Sequence, residues 1–447
     1  MILTPRSKSN SSEILPPLTI ETLVNGGAGL ARHEGRVIFV PHTAVGDRVR
    51  CRIVSAKKQY AEAQLLEVLE PASKRRRPPC VVAGDCGGCQ WQHLSYAEQL
   101  HWKGTLFRET LVRRCGVDPA QVHPIVASAA EWNYRSRVQL KCHVSQQGFI
   151  CGFYRAKSRY VMAVDECPLI APELNILTSK LRCLFSNTSY ARQIPQIDLA
   201  IDDHKKTAVT VHYLGVEGKT LAERLLQADL NSDLVIQFGA KSRRTLIHGD
   251  GILRIQVGDP LLELAYSVGG FAQINLDQNR ELVAEVLELA ELQGTENVVD
   301  LYCGMGNFSL PLARRAARLV GIEDSPISIE FARKNAAVSG IANADFHCGP
   351  AETLFSARTL CDAVDLLVLD PPRSGAYEVM KSLVEHPVSK VIYVSCDPQT
   401  LARDLQPLLH NGYELISSRP FDMFPQTFHC ESVTFLKYCD DSSGSNR

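Results

Sequence analysis

The sequence lacks any apolar run that approaches the roughly 20 residues that a membrane-spanning helix requires. Its polar start, MILTPRSKSNSS, also lacks the apolar region of a secretory signal peptide. These two absences argue against a membrane protein and against an exported one. We therefore expect a cytoplasmic protein.

An excess of charge of one sign is also missing, because 48 Lys and Arg residues balance 49 Asp and Glu residues. The balance is uneven along the chain, since residues 1–80 hold 13 basic and seven acidic side chains and the run KRRR occupies residues 74–77. A charge run is more often a solvated linker than a binding site. A basic module on a neutral enzyme is nevertheless typical of an appendage that binds a polyanion.

The chain has 447 residues, which is too long for one hydrophobic core. Short β-type segments with glycine-containing turns fill residues 18–71 and predict a small antiparallel barrel of the OB type. Residues 72–265 are mixed, and part of 92–124 is expected to pack on the domain that follows. Residues 266–439 alternate between strands and helices, which predicts an α/β domain with a doubly wound, mainly parallel sheet. The ends, 1–17 and 440–447, are expected to be disordered.

The first strand of this predicted sheet runs into the turn GMGN and then into a helix. Such a turn brings backbone close to a ligand, although the short Gly-x-Gly pattern is weak alone. The second strand ends in Glu323, whose carboxylate could accept hydrogen bonds from both ribose hydroxyl groups. Ser309 follows Phe308 where the dinucleotide fingerprint has its last glycine, so a pyrophosphate site would be incomplete. We therefore expect S-adenosylmethionine, with its cationic end near an acidic turn at Asp300.

Two later strands of the sheet also end in polar motifs. The fourth ends in VLDPPRSGA, which brings Asp370 to the edge where open α/β sheets bind ligands. The fifth ends in Cys396, and Glu431 begins a final strand. A packed thiol is the simpler interpretation of Cys396. A thiol, a carboxylate and a methyl donor together instead indicate methylation of a pyrimidine at C5, in which a thiolate adds to C6 and a base later removes the C5 proton.

Six motifs resemble those of the RNA uracil-5 methyltransferases, namely FAQINLDQN, DLYCGMGNF, GIED, LDPPRSGA, YVSCDPQTLARDL and FPQTFHCES. The resemblance spans nearly the whole chain and includes a TRAM-like, RNA-binding barrel at 18–71. It implies a Rossmann-like class I methyltransferase domain, with Cys396 as nucleophile and Glu431 as general base. It also implies that the cofactor site contains Gln273, Tyr302, Gly304, Asn307, Glu323 and Asp370.

Two comparisons within this resemblance concern specificity. The related RNA cytosine-5 enzymes have a Pro-Cys pair in the fourth-strand motif, whereas this chain has Pro371-Pro372-Arg373, which favours uracil. In FHCGPAETL, Pro350 stands where the family often has an Asp or Asn that holds the adenine amino group. A neighbouring backbone group would have to replace that contact.

Fifteen cysteines are present, and three of them lie close together in CVVAGDCGGCQWQHL. Structural disulfides are not expected in a reducing compartment, so this cluster indicates a metal site. Zinc and a [4Fe-4S] cluster both take four thiolates, and the spacing alone does not separate them. The same pattern holds [4Fe-4S] in a subset of the resembled family. The resemblance therefore implies that cluster, in a structural or RNA-folding role, on Cys80, Cys86, Cys89 and Cys167.

The expected partner is RNA, with neither DNA nor a membrane, and the expected state is a monomer. The TRAM-like and cysteine modules favour 23S ribosomal RNA over transfer RNA, because the transfer RNA enzymes of this family usually lack both. A non-catalytic RNA-binding protein on the same scaffold is the alternative from another class. The combined nucleophile, base and cofactor motifs argue against that alternative. The uridine that is modified cannot be read from the motifs, since RNA shape governs target choice.

Overall fold

The computed structural model describes residues 13–146, 148–216, 218–239, 244–356 and 363–439. The chain forms two compact units, of which the first comprises Met1–Leu106 with Pro425–Phe428 and the second comprises Phe107–Phe424 with His429–Arg447. The predicted tail 440–447 and residues 1–12 of the other tail lie outside the described residues. The expected disorder is wrong for residues 13–17, because Ile14 pairs with Arg52 and the buried Leu15 donates its N–H to the Cys51 carbonyl. No described helix is long and apolar enough to cross a membrane. The finer domain boundaries at residues 71 and 265 stay predictions.

The first unit is built on a six-stranded sheet with the order β1-β5-β6-β4-β3-β2. Its neighbouring strands are antiparallel except β4 and β6, which are parallel, so the predicted antiparallel pairing is wrong for that pair. Its strands are β1 (Leu18–Thr19), β2 (Thr22–Leu23), β3 (Gly29–His33), β4 (Arg36–Val40), β5 (Arg48–Ala56) and β6 (Tyr60–Glu70). Strand β5 begins with a regular alternation, in which Val49, Cys51 and Ile53 are buried and the arginines between them are exposed. This period of two is the pattern of a strand with one face on a core and one face in solvent.

The basic run at 74–77 is folded into the first unit. Its contacts are the ion pairs Lys74–Glu98 (2.7 Å) and Arg75–Asp47 (2.5 Å) and the hydrogen bond from Arg76 Nη2 to Gln426 Oε1 (2.9 Å). Asp47 is fully buried and also accepts the backbone N–H groups of Ala44 and Ala72. The solvated-linker interpretation is therefore wrong for Arg75 and Arg76, which stabilise the unit itself. This reduces the basic surface that the run offers to a polyanion.

A long helix, α1 (Tyr96–Cys115), leads from the first unit into the second. A seven-stranded sheet follows in the second unit, with the strand order β13-β12-β11-β10-β7-β8-β9. Its elements are β7 (Arg137–Ser145), β8 (Gly148–Tyr154), β9 (Val161–Ala163), α2 (Pro172–Phe185), β10 (Gln196–Ile201), β11 (Thr207–Tyr213), α3 (Lys219–Gln227), β12 (Asp233–Phe238) and β13 (Arg244–His248). The hairpin of β14 (Ile252–Val257) and β15 (Leu262–Ser267) comes next.

The remainder of the second unit alternates helices and strands. The elements are α4 (Leu276–Ala290), β16 (Asn297–Leu301), α5 (Ser309–Ala313), β17 (Arg318–Glu323), α6 (Pro326–Val338), β18 (Ala344–Cys348), α7 (Ala351–Ser356), β19 (Leu366–Leu369), α8 (Tyr377–Glu385), β20 (Lys390–Ser395), α9 (Pro398–Leu409), β21 (Tyr413–Phe421) and β22 (Glu431–Tyr438). The sheet order is β18-β17-β16-β19-β20-β22-β21. The first five strands are parallel, and β22 is antiparallel to both of its neighbours.

This sheet confirms the predicted doubly wound fold. Strand β20 is an almost continuous buried apolar run, as expected for a parallel strand that is covered on both faces. The strand order reverses between β16 and β19, and open α/β sheets bind ligands beyond the carboxyl ends of the strands at such a point. The fold therefore directs the search for a site to that edge.

We predict that Asp47→Ala lowers the free energy of unfolding of the first unit by about 2–4 kcal/mol, because it removes the carboxylate partner of Arg75 and the acceptor of two backbone N–H groups. Urea unfolding followed by tryptophan fluorescence measures this, since Trp91 is fully buried in that unit. The control is Arg50→Ala, which removes an exposed pair with Glu67 and should cost less than about 1 kcal/mol. Equal effects of the two variants would contradict the structural role of Asp47.

Candidate active site

The carboxyl edge of the second unit's parallel sheet gathers the predicted site residues. Tyr302 follows β16, Glu323 ends β17, Asp370 follows β19 and Cys396 follows β20. Strand β22 runs antiparallel to β20 with Ser432 opposite Ser395. The Ser395–Ser432 pair is the last of this ladder and lies one residue from both Cys396 and Glu431. The sheet therefore brings towards one edge a thiol and a carboxylate that lie 35 positions apart in the sequence.

The turn after β16 has the left-handed backbone that the glycine pattern predicts. Tyr302, Gly304 and Gly306 have φ angles of 62°, 56° and 97°. A Cβ atom at Gly306 would lie 2.9 Å from Cγ of Leu310, so only glycine fits there. Tyr302 shares the unusual φ, and its hydroxyl group donates a hydrogen bond to Glu352 Oε1 at 2.6 Å. The turn therefore exposes backbone at the edge where a ligand would approach.

Glu323 is fixed beside this turn by two backbone donors. The Gly304 N–H donates to Oε2 at 3.2 Å, and the Ser325 N–H donates to Oε1 at 2.8 Å. Each carboxylate oxygen has a further lone pair, so the side chain can still accept from ribose hydroxyl groups. Its place at the end of the second strand fits a nucleoside such as that of S-adenosylmethionine.

Two other residues of the predicted cofactor set are held in ways that the motifs did not reveal. The side-chain amides of Asn307 and Asn279 exchange hydrogen bonds of 2.8 and 3.0 Å, which ties the turn to α4. The backbone carbonyls of Gln273 and its neighbour Ile274 accept from the Ser136 hydroxyl group. Pro350, immediately before α7, is exposed.

Buried carboxyl groups surround the turn. Burial is the main cause that raises the pKa of Asp300, and a hydrogen bond from the Ser309 hydroxyl group opposes the shift. The carboxylates of Asp370 and Glu323 add to the shift, and the net pKa is about 7. Burial also raises the pKa of Asp370. A cation placed at this edge would favour the ionised forms of both groups. These two carboxyl groups therefore fit the cationic methionine end of S-adenosylmethionine.

Cys396 and Glu431 both have raised pKa values, and the Glu431 carboxylate contributes to the shift of Cys396. Burial is the main cause that raises the pKa of the Cys396 thiol, the Glu431 carboxylate adds to the shift, and the Arg373 guanidinium opposes it, with a net pKa of about 12. Burial raises the pKa of Glu431 well above its usual range, Asp370 adds to this, and Arg373 again opposes it. Glu431 is buried, and within the described part of the chain its Oε2 has no hydrogen-bond partner. Strongly shifted neighbouring groups of this kind are typical of active sites.

The sequence immediately after Cys396 builds a helix terminus next to the thiol. Asp397 caps α9, since its Oδ1 accepts the N–H groups of Gln399 and Thr400 at 2.9 Å each. Ser395 Oγ accepts the Asp397 N–H at 3.3 Å. The positive end of the helix dipole therefore lies close to Cys396 and favours its thiolate form.

Arg373 is a candidate functional residue that the sequence analysis missed. It lies in the motif LDPPRSGA, in which the sequence predicts a site role for Asp370 alone. The Arg373 carbonyl accepts from the Thr400 hydroxyl group at 3.3 Å, which holds the loop after β19 against α9. The available signal was chemical, since this arginine is the one cation in a motif predicted to lie beside a nucleophilic thiolate.

The predicted metal ligands are divided between the two units. Cys80, Cys86 and Cys89 belong to the first unit, and Cys167 belongs to the second. Burial raises the pKa of Cys86, the Gly88 N–H donates to its Sγ, and Cys80 is near enough to raise the pKa further. Across the described residues, no three or more His, Cys, Asp or Glu side chains form a group that could hold a metal ion. The structure does not assemble the predicted four-thiolate site.

Residues 95–439 match the family described as tRNA (Uracil-5-)-methyltransferase, and residues 17–66 match the TRAM domain. The chain is 35% identical to the 23S rRNA (uracil(1939)-C(5))-methyltransferase of Alkalilimnicola ehrlichii, covering 94% of this chain and 96% of the relative. It is 32% identical to the enzyme of the same description from Shewanella sediminis and to an uncharacterized RNA methyltransferase of Halalkalibacterium halodurans, in each case over 97% of this chain and 98% of the relative.

A solved structure is similar in fold over almost the whole chain. It is the Pyrococcus abyssi tRNA (uracil-54, C5)-methyltransferase in complex with S-adenosyl-L-homocysteine, with a TM-score of 0.73 and 23% identity. The match covers 94% of this chain and 100% of that one. It supports the architecture described above.

We predict that alkylation of Cys396 by iodoacetamide accelerates about tenfold per pH unit between about pH 7 and 10, because the thiolate fraction grows tenfold per unit below a raised pKa. Arg373→Met should slow the reaction at each pH by about tenfold, since it removes the cation that lowers this pKa. Mass spectrometry of the Cys396 peptide measures the rate, and the exposed Cys183 provides an internal control. A plateau below about pH 9 would contradict the raised pKa.

Proposed function

Because the chain belongs to the RNA uracil-5 methyltransferase family, we propose that it methylates C5 of a uridine in 23S ribosomal RNA through a covalent intermediate on Cys396. The expected family, its methyltransferase activity and its use of S-adenosylmethionine are confirmed by the family match. The observation that supports the proposed mechanism is the register of β20 and β22, in which the terminal pair Ser395–Ser432 lies one residue from both Cys396 and Glu431.

Cys396 is the proposed nucleophile. C5 of uracil is too weakly nucleophilic to take a methyl group directly, and addition of a thiolate to C6 turns the ring into an enolate that can. The N-terminus of α9 and the Arg373 guanidinium both favour the thiolate that this addition requires. S-adenosylmethionine supplies an electrophilic methyl group when it is bound.

Glu431 is the proposed general base for the C5 proton. It begins the strand next to β20, which ends one residue before Cys396, so both groups can act on adjacent ring atoms. Its raised pKa makes it a stronger base than an exposed carboxylate once it is ionised. Arg373 and the cationic cofactor would favour that ionised state, because both place positive charge near a carboxylate.

The proposed substrate is 23S ribosomal RNA rather than transfer RNA. The support is the near full-length similarity to relatives described as 23S rRNA enzymes, together with the N-terminal TRAM domain. The target base must leave its stack or lie in a loop, at a cost of a few kcal/mol that contacts to the RNA backbone offset. Action on ribosomal RNA would place the enzyme in the cytoplasm.

We predict that the wild-type protein transfers one methyl group to unmodified 23S rRNA transcript, and that Cys396→Ala abolishes transfer while leaving S-adenosylmethionine binding nearly unchanged. Glu431→Gln should still form the C6 bond and transfer the methyl group but should not release the product. A covalent protein–RNA adduct that survives a denaturing gel is the expected result. Full activity of Glu431→Gln without adduct would rule out its role as base.

The transfer RNA alternative is tested in the same assay. Unmodified transfer RNA transcripts replace the 23S transcript, and nuclease digestion with mass spectrometry locates any new 5-methyluridine. Preferential methylation of transfer RNA would overturn the proposed substrate but leave the chemistry of Cys396 and Glu431 intact.

We also propose that Cys80, Cys86, Cys89 and Cys167 hold a [4Fe-4S] cluster. The support is the cysteine spacing in a chain of this family, while the described geometry brings together no such ligand group. We assign the cluster no catalytic step. We predict that protein purified without oxygen is brown with about four irons per chain and that Cys86→Ser loses them, as measured by iron analysis and absorbance. A colourless protein with one zinc would show that the metal assignment is wrong.

A further inference from the structure

The loop Pro425–Phe428 connects the first unit to the strand that carries the proposed base. It clusters with the first unit, although the chain on either side of it belongs to the second. Strand β22 begins with Glu431 three residues after the loop ends. The backbone before β22 is therefore fastened by residues that are remote from β22 in the sequence.

Gln426 is the centre of this fastening. It is fully buried and has a φ of 72°, which is costly for a residue other than glycine. Five hydrogen bonds oppose that cost: Gln426 N–H to Gln99 Oε1 (2.8 Å), Gln90 N–H and Trp91 N–H to Gln426 O (3.1 and 3.0 Å), and Gln99 Nε2 and Arg76 Nη2 to Gln426 Oε1 (2.9 Å each). A strained residue with this many partners has its position determined by its surroundings.

The partners of Gln426 are themselves immobilised. Gln99 Nε2 also donates to the carbonyls of Trp91 and Leu94. The fully buried Trp91 donates its indole N–H to the Gly27 carbonyl at 2.9 Å. A Cβ atom at Gly27 would lie 2.8 Å from Cδ1 of Phe428, so the turn after β2 packs closely on the loop. The anchor therefore joins the barrel, the linker and the start of α1.

We propose that Gln426, held by Gln99 and Arg76, is a positioning residue that sets where the chain enters β22 and thereby aims the Glu431 carboxylate at the C5 proton. Within the described residues, Oε2 of Glu431 has no hydrogen bond that could aim the side chain. Its position therefore depends on the backbone, which β20 and β21 fix on one side of Glu431 and the anchored loop on the other. This inference rests on the proposed role of Glu431.

The affected step comes after methyl transfer. Glu431 takes the proton from C5, the electrons of the C5–H bond form the C5=C6 double bond, and the C6–S bond breaks to return the Cys396 thiolate. Addition of the thiolate and methyl transfer need neither this proton transfer nor its geometry. A misplaced carboxylate should therefore delay product release without delaying methyl transfer.

The decisive variants are Gln426→Met and Gln426→Glu. Met keeps the side-chain length but removes the oxygen that accepts from Gln99 and Arg76, whereas Glu keeps an accepting oxygen at that place. The substrate is 23S rRNA transcript with tritium at C5 of its uridines, and the cofactor is S-adenosylmethionine with a radiolabelled methyl group. Single-turnover reactions compare tritium release with methyl transfer.

For Gln426→Met we expect tritium release to slow by about 10- to 100-fold, the effect of a misplacement of about 1 Å, while methyl transfer changes little. The covalent adduct should accumulate in Gln426→Met. Gln426→Glu should release tritium at nearly the wild-type rate. Arg76→Met, which removes one of the two donors, should show a smaller effect of the same kind and serves if Gln426→Met does not fold.

The matched control is Thr43→Val, which removes a buried hydrogen bond to the Val40 carbonyl in the same unit without altering a contact of the loop. It should slow neither reaction selectively. If Gln426→Met leaves both reactions unchanged or slows both equally, the positioning role is refuted. Glu431→Gln distinguishes the two hypotheses, because absence of an adduct in that variant would refute the base itself rather than its anchor.

Discussion

The antiparallel strand β22 lies between β20 and β21, and the chemistry of the site depends on this placement. A strand that runs against its parallel neighbour starts where that neighbour ends. The first residue of β22 is Glu431, and the residue after β20 is Cys396. Hydrogen bonding along the ladder from Ser395–Ser432 to Lys390–Lys437 fixes this register. A shift of β22 along β20, which would move the carboxylate relative to the thiol, would break these hydrogen bonds.

Burial makes the carboxyl groups at this edge of the sheet more basic, and it makes their ionised forms energetically unfavourable. Asp300, Asp370 and Glu431 have raised pKa values because the sheet edge removes them from water. Acidic groups in such surroundings bind a cation favourably, since it restores their ionised forms. The arginine at position 373 supplies one fixed positive charge, and a sulfonium cofactor would supply another. Burial at this edge thus favours the neutral carboxyl groups, and a bound cation favours their ionised forms.

The first unit uses its basic and amide side chains for two purposes. Arg75 neutralises the buried Asp47, and Arg76 reaches the loop that leads to the proposed base. A basic run that looks like a polyanion site in the sequence is therefore partly consumed by folding. On the exposed faces of the barrel, some basic side chains are paired with acidic ones, such as Arg50 with Glu67. Fewer unpaired positive charges therefore face solvent than the number of basic residues suggests.

The sequence by itself determined the fold class, because strand and helix periodicities are local properties that the parallel sheet leaves unchanged. It also placed Tyr302, Glu323, Asp370 and Cys396 at one edge, since each directly follows or ends a predicted parallel strand. Only the tertiary structure decided which groups act on one another. The pairing of Asn307 with Asn279, the fields that Arg373 exerts on Cys396 and Glu431, and the fastening of Gln426 by Gln99 all join residues far apart in the chain. Such contacts depend on how strands and loops pack, and no local pattern of residues encodes that packing.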